Sequence, residues 1–402
     1  MTIFNYRYRP IHAITEMLAA FAVRLLPQRK ARVAELRPNR ILVIKFGGLG
    51  EAVLARSIAD KLLERNPELV IDYLVEDRTE DVMTLGRKSS RVFRYSPSVN
   101  GLKIALQILL SVRRQRYDAI VDFEQHSLLT SVFCRATSIP IRIGFIPSGE
   151  SNRWRMFTHT IPLHEGDSMW SAFIQLGQVL DCGLSQSAMT APLPISSHTE
   201  DWLEEWWPIH VGSDAANLVV AIHLGVGPSA QYRCWPIRRF ADFAKAFGTI
   251  HPSVTVLLTG SANERPLMQE FKELFTGKVI EAVDLGGLER TCALLCRCDL
   301  LVSADTGIMH LAAAMGVPTV GLFGPNTPAC WAPVGPRATY VYTSRQACSP
   351  CINSYRRHIP ENCTAEKQSA CMWDISVEDV LQATRRVMRN TALIPFDRIL
   401  TK

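Results

Sequence analysis

Apolar and polar residues alternate along the chain in blocks that predict short strands separated by longer helices. The first blocks predict strands over residues 41–46, 71–75 and 119–123, with a helix over residues 51–65. Strands that alternate with helices in this way are typical of a parallel α/β sheet. The pattern therefore predicts a Rossmann-like half in the first part of the chain.

A second series of the same kind follows a polar, tryptophan-bearing connection around residues 192–214. It predicts strands over residues 219–223, 254–259, 299–303 and 319–323, and helices near residues 239–247 and 311–315. No internal sequence repeat relates the two series. We therefore expect an α/β protein with two Rossmann-like halves that share architecture but not sequence.

Length and composition agree with a two-domain enzyme. The chain has 402 residues, and domains usually hold roughly 100–200 residues each. Its 47% apolar and 20% charged residues argue against wholesale disorder. A net charge of only +6 fits anionic substrates or a lipid surface, and it argues against a nucleic-acid-binding protein.

The N-terminal segment, residues 1–37, is predicted to be an amphipathic arm. No apolar run in the chain reaches the roughly 20 residues that cross a bilayer, and Glu16 and Arg24 interrupt the segment that most resembles a signal peptide. We therefore expect a cytoplasmic protein. Apolar residues of the arm recur at helical spacing between arginines, so the arm either lies on the cytoplasmic face of an anionic inner membrane or packs on protein. The apolar stripe consists of Ile14, Met17, Leu18, Phe21 and Leu25.

The stretch from Asp305 to His310 lies where a predicted strand meets a predicted helix. Such a turn exposes backbone N–H groups at the positive end of a helix dipole, and Thr306 and Gly307 permit close approach of a ligand. The turn therefore suits the phosphates of a nucleotide. Alternatively, Asp305 only caps the helix.

The glycine loop over residues 47–50, followed by Glu51, admits two interpretations. Its glycines allow a sharp turn that presents Glu51 at a helix start, where a carboxylate is favoured. Alternatively, the loop binds a nicotinamide dinucleotide, with Glu76 or Asp77 on the ribose. That second interpretation would make the protein an oxidoreductase, but Val53 stands where the third glycine of that fingerprint belongs, so we rank it below the first.

Four of the eleven cysteines cluster late in the sequence. Cys348, Cys351, Cys363 and Cys371 have the spacing C-x2-C, x11, C-x7-C. Four thiolates at such positions suit one structural zinc or iron ion. Two disulfides or four independent thiols remain alternatives.

Three segments resemble glycosyltransferase family 9, the ADP-heptose:lipopolysaccharide heptosyltransferases. They are the strand, glycine loop and helix over residues 40–75, the segment Arg233-Cys-Trp-Pro-Ile-Arg-Arg-Phe240, and the motif Asp-Thr-Gly-x-x-His at residues 305–310 with the helix and strand after it. The resemblance implies a GT-B architecture, in which an acceptor domain and a nucleotide-sugar domain face one another across a cleft. The activity it implies is inverting transfer of heptose from ADP-heptose to a lipopolysaccharide core or another bacterial glycan, without a catalytic metal.

The resemblance also implies the roles of single residues. Glu51 would be the general base, where the family usually has Asp, and Arg233 would bind the departing diphosphate. The donor-binding positions would be Glu264, Asp305, Thr306, Gly307, Met309 and His310. Candidate acceptor-binding positions are Gly48, Asp122, Gln125 and His126. A protein of this shape that has lost turnover is a further alternative.

Together these patterns divide the chain into six segments. They are the arm (1–37), the acceptor domain (38–191), a linker (192–215), the nucleotide-sugar domain (216–345), a cysteine-rich candidate metal loop (346–373), and a C-terminal helix and tail (374–402). The oligomeric state is not indicated by any motif.

Overall fold

The computed structural model describes residues 38–87, 89–96, 101–148, 153–185, 190–212, 214, 217–356 and 358–389. These residues form two compact units. The N-terminal unit runs to Ala191 and includes residues 354–356, and the C-terminal unit begins at Pro192. The predicted amphipathic arm lies outside the described residues.

The N-terminal unit is built on a parallel six-stranded sheet in the order β3-β2-β1-β4-β5-β6. Its strands are β1 (Arg40–Lys45), β2 (Val70–Val75), β3 (Val92–Arg94), β4 (Ala119–Asp122), β5 (Ile141–Pro147) and β6 (His159–Leu163). Its α-helices are α1 (Leu49–Arg65), α2 (Asp77–Thr84), α3 (Gly101–Arg114), α4 (Leu128–Thr137) and α5 (Met169–Gln178), and Arg153–Met156 forms a 3₁₀ helix.

The C-terminal unit contains a second parallel six-stranded sheet, in the order β12-β11-β10-β7-β8-β9. Its strands are β7 (Val219–His223), β8 (Thr255–Gly260), β9 (Lys278–Val283), β10 (Leu300–Ala304), β11 (Thr319–Phe323) and β12 (Ala338–Tyr342). Its α-helices are α6 (Ser197–His210), α7 (Ile237–Ile250), α8 (Arg265–Leu274), α9 (Leu288–Cys296), α10 (Gly307–Ala314), α11 (Pro328–Trp331), α12 (Ala370–Trp373) and α13 (Val377–Arg389). The 3₁₀ helices Pro228–Arg233 and Ala262–Glu264 lie in the loops that follow β7 and β8.

The two sheets confirm the predicted α/β class with two Rossmann-like halves. Most predicted strands agree with the structure to within one residue, because each is a short apolar run that is buried on both faces. Helix α10 begins at Gly307, four residues earlier than the apolar pattern predicts, since Thr306 caps it by accepting a hydrogen bond from the Met309 N–H at 3.4 Å. The polar connection contains helix α6, which its composition did not indicate.

In both sheets, the strand order reverses beside the first strand, and this reversal brings two loops together. In each, the chain leaves a central strand towards one edge and then returns to the other side of that strand, so the order reverses between β1 and β4 and between β7 and β10. Ligands of open α/β sheets bind at the carboxyl ends of the strands that flank such a reversal. The loops after β1, β4, β7 and β10 are therefore the places to look for chemistry.

Within the described residues, no helix combines the length and apolarity needed to cross a membrane.

Candidate active site

A buried lysine joins two carboxylates at the reversal point of the N-terminal sheet. Lys45 ends β1, and its side chain is fully buried. Its Nζ donates to Oε2 of Glu51 at 2.6 Å and to Oε1 of Glu124 at 2.5 Å. Glu51 lies on the first turn of α1, and Glu124 lies two residues beyond β4. The loops after β1 and β4 thus share one charge network.

The charges of this network hold each other in the ionised state. Burial acts to lower the pKa of Lys45, but Glu124 and Glu51 outweigh it and raise the pKa above its usual value. Burial likewise opposes ionisation of Glu124, but Lys45 and the backbone N–H groups of Phe46 and Gly47 hold the pKa of Glu124 below its usual range. One lysine therefore binds two carboxylates, and Lys45 and Glu124 stabilise each other in the ionised state.

Glu51 is the most exposed member of the network, with 23% of its side chain exposed against 15% for Glu124. Its Oε2 also accepts a hydrogen bond from Gln125 Nε2 at 3.3 Å. Gly48 has a φ of +66°, and a Cβ atom there would lie 3.1 Å from Glu51 Oε1. The glycine therefore leaves the space that the Glu51 carboxylate occupies, beyond the conformational freedom it gives the turn.

Two of the predicted acceptor-binding residues have internal partners. Asp122 is fully buried and pairs with the equally buried Arg153 at 2.9 Å. Burial, only partly offset by Arg153, raises the pKa of Asp122 to about 6. His126 Nε2 lies 2.9 Å from the carbonyl oxygen of Ser354, which belongs to the same unit. Both side chains thus shape the loop after β4.

An arginine and an aspartate meet at the reversal point of the C-terminal sheet. Arg233 donates from one terminal nitrogen to the carbonyl oxygen of Asp305 at 3.2 Å and to its Oδ2 at 3.3 Å. Asp305 directly follows β10, and its Oδ2 also accepts from Asn326 Nδ2 at 2.7 Å. The Asp305 carboxylate therefore orients a cation and an amide from two other loops.

Trp235 fixes the segment that carries Arg233. Its side chain is fully buried, donates from Nε1 to the carbonyl oxygen of Ile375 at 3.2 Å, and meets Phe240 edge to face at 4.8 Å between ring centroids. Pro236 then precedes helix α7. The tryptophan anchors the turn in the core, so that Arg233 is held near the surface with 20% of its side chain exposed.

The first turn of α10 combines core packing with an unpaired polar atom. Met309 is fully buried, and its Sδ fills the space beside Gly321, so its side chain belongs to the core. His310 is 5% exposed, and its Nδ1 has no hydrogen-bond partner among the described residues. Burial lowers the pKa of His310, against the opposing charge of Asp305. A neutral imidazole beside the open N–H groups at Thr306 and Gly307 can donate one hydrogen bond to a phosphate oxygen.

Glu264 has a structural role that is compatible with a ligand role. One carboxylate oxygen closes a capping box with Ser261, accepting from its N–H at 2.7 Å. The other lies 3.7 Å from Nε2 of the buried His223 and beside Gly225, where a Cβ atom would overlap it. Only glycine at 225 lets this carboxylate lie over the loop after β7.

The four late cysteines are neighbours behind the loops of the C-terminal site. Burial, followed by the nearby sulfurs of Cys351, Cys363 and Cys348, raises the pKa of Cys371 to about 12. All eleven cysteines are free thiols, so the disulfide alternative is not observed. Across the part of the chain that the structure describes, no group of three or more histidine, cysteine or acidic side chains is arranged to hold a metal ion.

The cysteine segment directly contacts two of the loops that meet at Asp305. Tyr232, the residue before Arg233, packs with Ile352, Cys351 and Cys363. The backbone also connects them, since Ile352 N–H donates to the carbonyl oxygen of Pro325 at 2.8 Å, one residue before Asn326. The segment therefore supports two of the loops that meet at Asp305.

Sequence reasoning missed Lys45, Glu124 and Asn326. A lysine that ends a strand is usually solvated, and nothing in the sequence shows that two carboxylates from separate loops enclose it. The one available signal was the position of each residue directly after a central strand, where parallel sheets gather functional groups.

Comparison with known proteins assigns the chain to a family. The sequence model of glycosyltransferase family 9 (heptosyltransferase) matches residues 106–358, more than half of the chain. Lipopolysaccharide heptosyltransferase 2 of Salmonella typhimurium is 23% identical over 364 residues, which are 85% of this chain and 97% of that protein.

Solved structures share the fold. The E. coli ADP-heptose lps heptosyltransferase II has a TM-score of 0.65 and 20% identity, covering 88% of this chain and 99% of that one. The iron-containing dodecameric glycosyltransferase TibC from enterotoxigenic E. coli has a TM-score of 0.53 and 12% identity, covering 89% and 78%. These likenesses confirm a GT-B type fold, and the family match supports the transferase over the oxidoreductase. The chain belongs to glycosyltransferase family 9.

Proposed function

We propose that the protein is an inverting glycosyltransferase that transfers heptose from ADP-heptose to a lipopolysaccharide core or a related bacterial glycan. The observation that carries this proposal is the Glu51 carboxylate, which is partly exposed at the reversal point of the N-terminal sheet and fixed by Lys45 at 2.6 Å. The names of the Salmonella and E. coli relatives support heptose, ADP and lipopolysaccharide as the substrate classes.

In the proposed reaction, Glu51 takes the proton of the acceptor hydroxyl. The acceptor oxygen forms a bond to the anomeric carbon, while the bond from that carbon to the phosphate oxygen breaks and its electron pair leaves with ADP. Lys45 and Gln125 hold the Glu51 carboxylate in place, and the charge of Glu124 keeps Lys45 from fully neutralising it. A base that is positioned but not over-stabilised is suited to proton abstraction.

Arg233 and the start of α10 are the proposed binding groups for the donor diphosphate. The guanidinium supplies fixed charge, and the N–H groups at Thr306 and Gly307 together with His310 supply hydrogen bonds. We propose Asp305 as the residue that positions Arg233, and Glu264 as the ribose partner. Charge that grows on the leaving group is then stabilised without a metal ion.

For the acceptor we propose contact through the loops after β1 and β4. Gly48 and Gln125 lie beside Glu51 and contact or orient the acceptor directly. Asp122 and His126 support this acceptor loop and do not contact the acceptor, because their polar atoms bind Arg153 and Ser354. The proposed division of labour is acceptor on residues 38–191 and donor on residues 216–345, joined by residues 192–215.

The cysteine loop, residues 346–373, is proposed to hold one structural zinc or iron ion through Cys348, Cys351, Cys363 and Cys371. Burial, followed by the neighbouring sulfurs, raises the pKa of Cys351 and of Cys371, so a bound cation would be needed to hold these two side chains as thiolates. When bound, the metal would staple the loop behind Tyr232 and Pro325. TibC is described as iron-containing, which makes iron the first metal to test alongside zinc.

We also propose peripheral contact with the cytoplasmic face of the inner membrane, where lipid-linked acceptors are presented. The arm over residues 1–37 was the surface that the sequence indicated for this contact.

The test of the proposed function is transfer by wild type and by Glu51→Gln. The substitution keeps size but removes basicity, so turnover should fall by roughly 10²–10⁴ while nucleotide-sugar affinity survives. Mass spectrometry of nucleotide retained by the purified protein should show adenosine diphosphate or its sugar derivative. Undiminished transfer by Glu51→Gln would refute Glu51 as the general base. A wild type that binds donor but transfers nothing would identify an inactive binding protein.

A further inference from the structure

Helix α3 exposes an unpartnered row of leucines on the surface of the N-terminal unit. Leu102, Leu106 and Leu110 are 72%, 55% and 46% exposed, and their spacing of four residues sets them along one side of the helix. Ile108 and Val112 point the other way, into the core. The helix is therefore apolar on both sides, whereas a helix on a soluble surface normally turns its polar side outwards.

The charges around this row have one sign. Helix α3, helix α4 and the 3₁₀ helix Arg153–Met156 together carry six cations and no aspartate or glutamate. Arg153 forms a buried ion pair with Asp122. The five remaining cations are Lys103, Arg113, Arg114, Arg135 and Arg155. The cationic side chains of α3 are exposed beside the leucines.

The three elements form one layer on one side of the sheet. Residues from α3, from α4 and from the 3₁₀ helix share a hydrophobic cluster with β1 and β4, and Arg113 donates to the carbonyl oxygen of Ala136 at the end of α4 at 3.1 Å. The 3₁₀ helix adds Trp154, which is 42% exposed. We call the exposed side chains of this layer the leucine face: Leu102, Leu106, Leu110 and Trp154 with Lys103, Arg113 and Arg114.

We propose that the leucine face is the surface by which the folded protein binds an anionic phospholipid bilayer. Leucine and tryptophan insert at the boundary between headgroups and acyl chains, and each nearby Lys or Arg adds attraction to anionic lipid. The inference deepens the membrane contact proposed above and places it on the folded unit.

Two other occupants fit less well. A stable dimer buries about 20–30 residues on each side, far more than this face offers. The N-terminal arm is itself rich in arginine, with two glutamates as its only acids among residues 1–37, so its packing here would set like charge against like charge.

The position of the face also suits a lipid-linked acceptor. Helix α4 begins at Leu128, directly after the loop that holds Glu124 and Gln125, and Ser127 caps it. The layer that would rest on lipid therefore adjoins the proposed acceptor loop within the same unit.

The experiment is co-sedimentation of the full chain with vesicles of phosphatidylcholine containing about one third phosphatidylglycerol, compared with pure phosphatidylcholine. The first variant is Leu102→Gln, Leu106→Gln and Leu110→Gln combined, and the second is Lys103→Gln, Arg113→Gln and Arg114→Gln combined. The matched control is Ile209→Gln, which removes an apolar side chain that is 77% exposed on α6, a helix with four acids and no Lys or Arg.

We expect wild type and Ile209→Gln to sediment with anionic vesicles and to be released by 0.5 M salt. Each triple variant should bind at least about tenfold more weakly, with unchanged transfer to a soluble acceptor. The leucine variant should also keep the wild-type melting temperature, whereas the cationic variant loses the Arg113 bond to Ala136 and is compared at a temperature where it is folded. Wild-type binding by the leucine variant would overturn the inference and leave the arm as the anchor. Absence of wild-type binding would overturn the membrane contact itself, whereas loss of an oligomer in the leucine variant without vesicle binding would assign the face to a second copy.

Discussion

Glu124→Gln is the substitution that best tests how the Lys45 network sets the basicity of Glu51. The Oε1 atom of Glu124 accepts from Lys45, from Phe46 N–H at 2.9 Å and from Gly47 N–H at 3.1 Å. A glutamine oxygen can accept the same three bonds. The variant should therefore fold and keep the loop, while one negative charge disappears beside Glu51.

The magnitude follows from the two distances to Lys45 Nζ. At 2.6 and 2.5 Å from the same nitrogen, the two carboxylate oxygens lie within about 5 Å of each other, where two unit charges repel by about 3 kcal/mol at an effective dielectric constant of 20. The distance is the longest that the two bonds allow, so a shorter separation would only increase this energy at the same dielectric constant. Solvent screening at the partly exposed Glu51 acts in the opposite direction, so we take about 3 kcal/mol as the scale of the repulsion.

The assay is the pH dependence of kcat/KM with a soluble acceptor. Without the opposing charge of Glu124, the acidic limb should move to lower pH and the plateau should fall modestly, by no more than about tenfold, because a base without a like charge beside it abstracts the proton less readily. Glu80→Gln is the control, since it removes a carboxylate of the same unit that pairs with the exposed Arg94. An acidic limb that stays in place, or moves to higher pH, refutes the role of the network.

Three further outcomes are expected. Glu51→Asp restores the family's usual residue and should remain active, and its inactivity in a folded protein would show that the longer side chain is required. Arg233→Ala should raise the KM for donor and lower kcat together, because diphosphate charge is present in the ground state and grows as the bond breaks; a change in acceptor KM alone would contradict this. Elemental analysis should find about one zinc or iron per chain, reduced by Cys348→Ser with Cys351→Ser, and unchanged content in the double variant would exclude the site.

The strands could be predicted from sequence because a strand that is buried on both faces consists almost entirely of apolar residues. Candidate site residues could be proposed from sequence only where a motif repeats a known pattern, as at Asp305 and Glu51, and their roles stay predictions. Lys45 could not be predicted as a site residue, since its role depends on Glu124, which is 79 residues away in sequence. Helix α6 was missed for a related reason, because its mixed tryptophans and acids show no clear apolar side.

The contact between Gly48 and the Glu51 side chain constrains the order in which this loop can change over evolution. A Cβ at position 48 would press on a carboxylate that Lys45 and Gln125 already hold, and it would do so at a positive φ that L-residues rarely adopt. A shorter aspartate at position 51 would relieve the pressure. Glutamate at position 51 therefore fits best where glycine already stands at 48, and a larger residue at 48 would require the Glu51 carboxylate to shift against its bonds to Lys45 and Gln125.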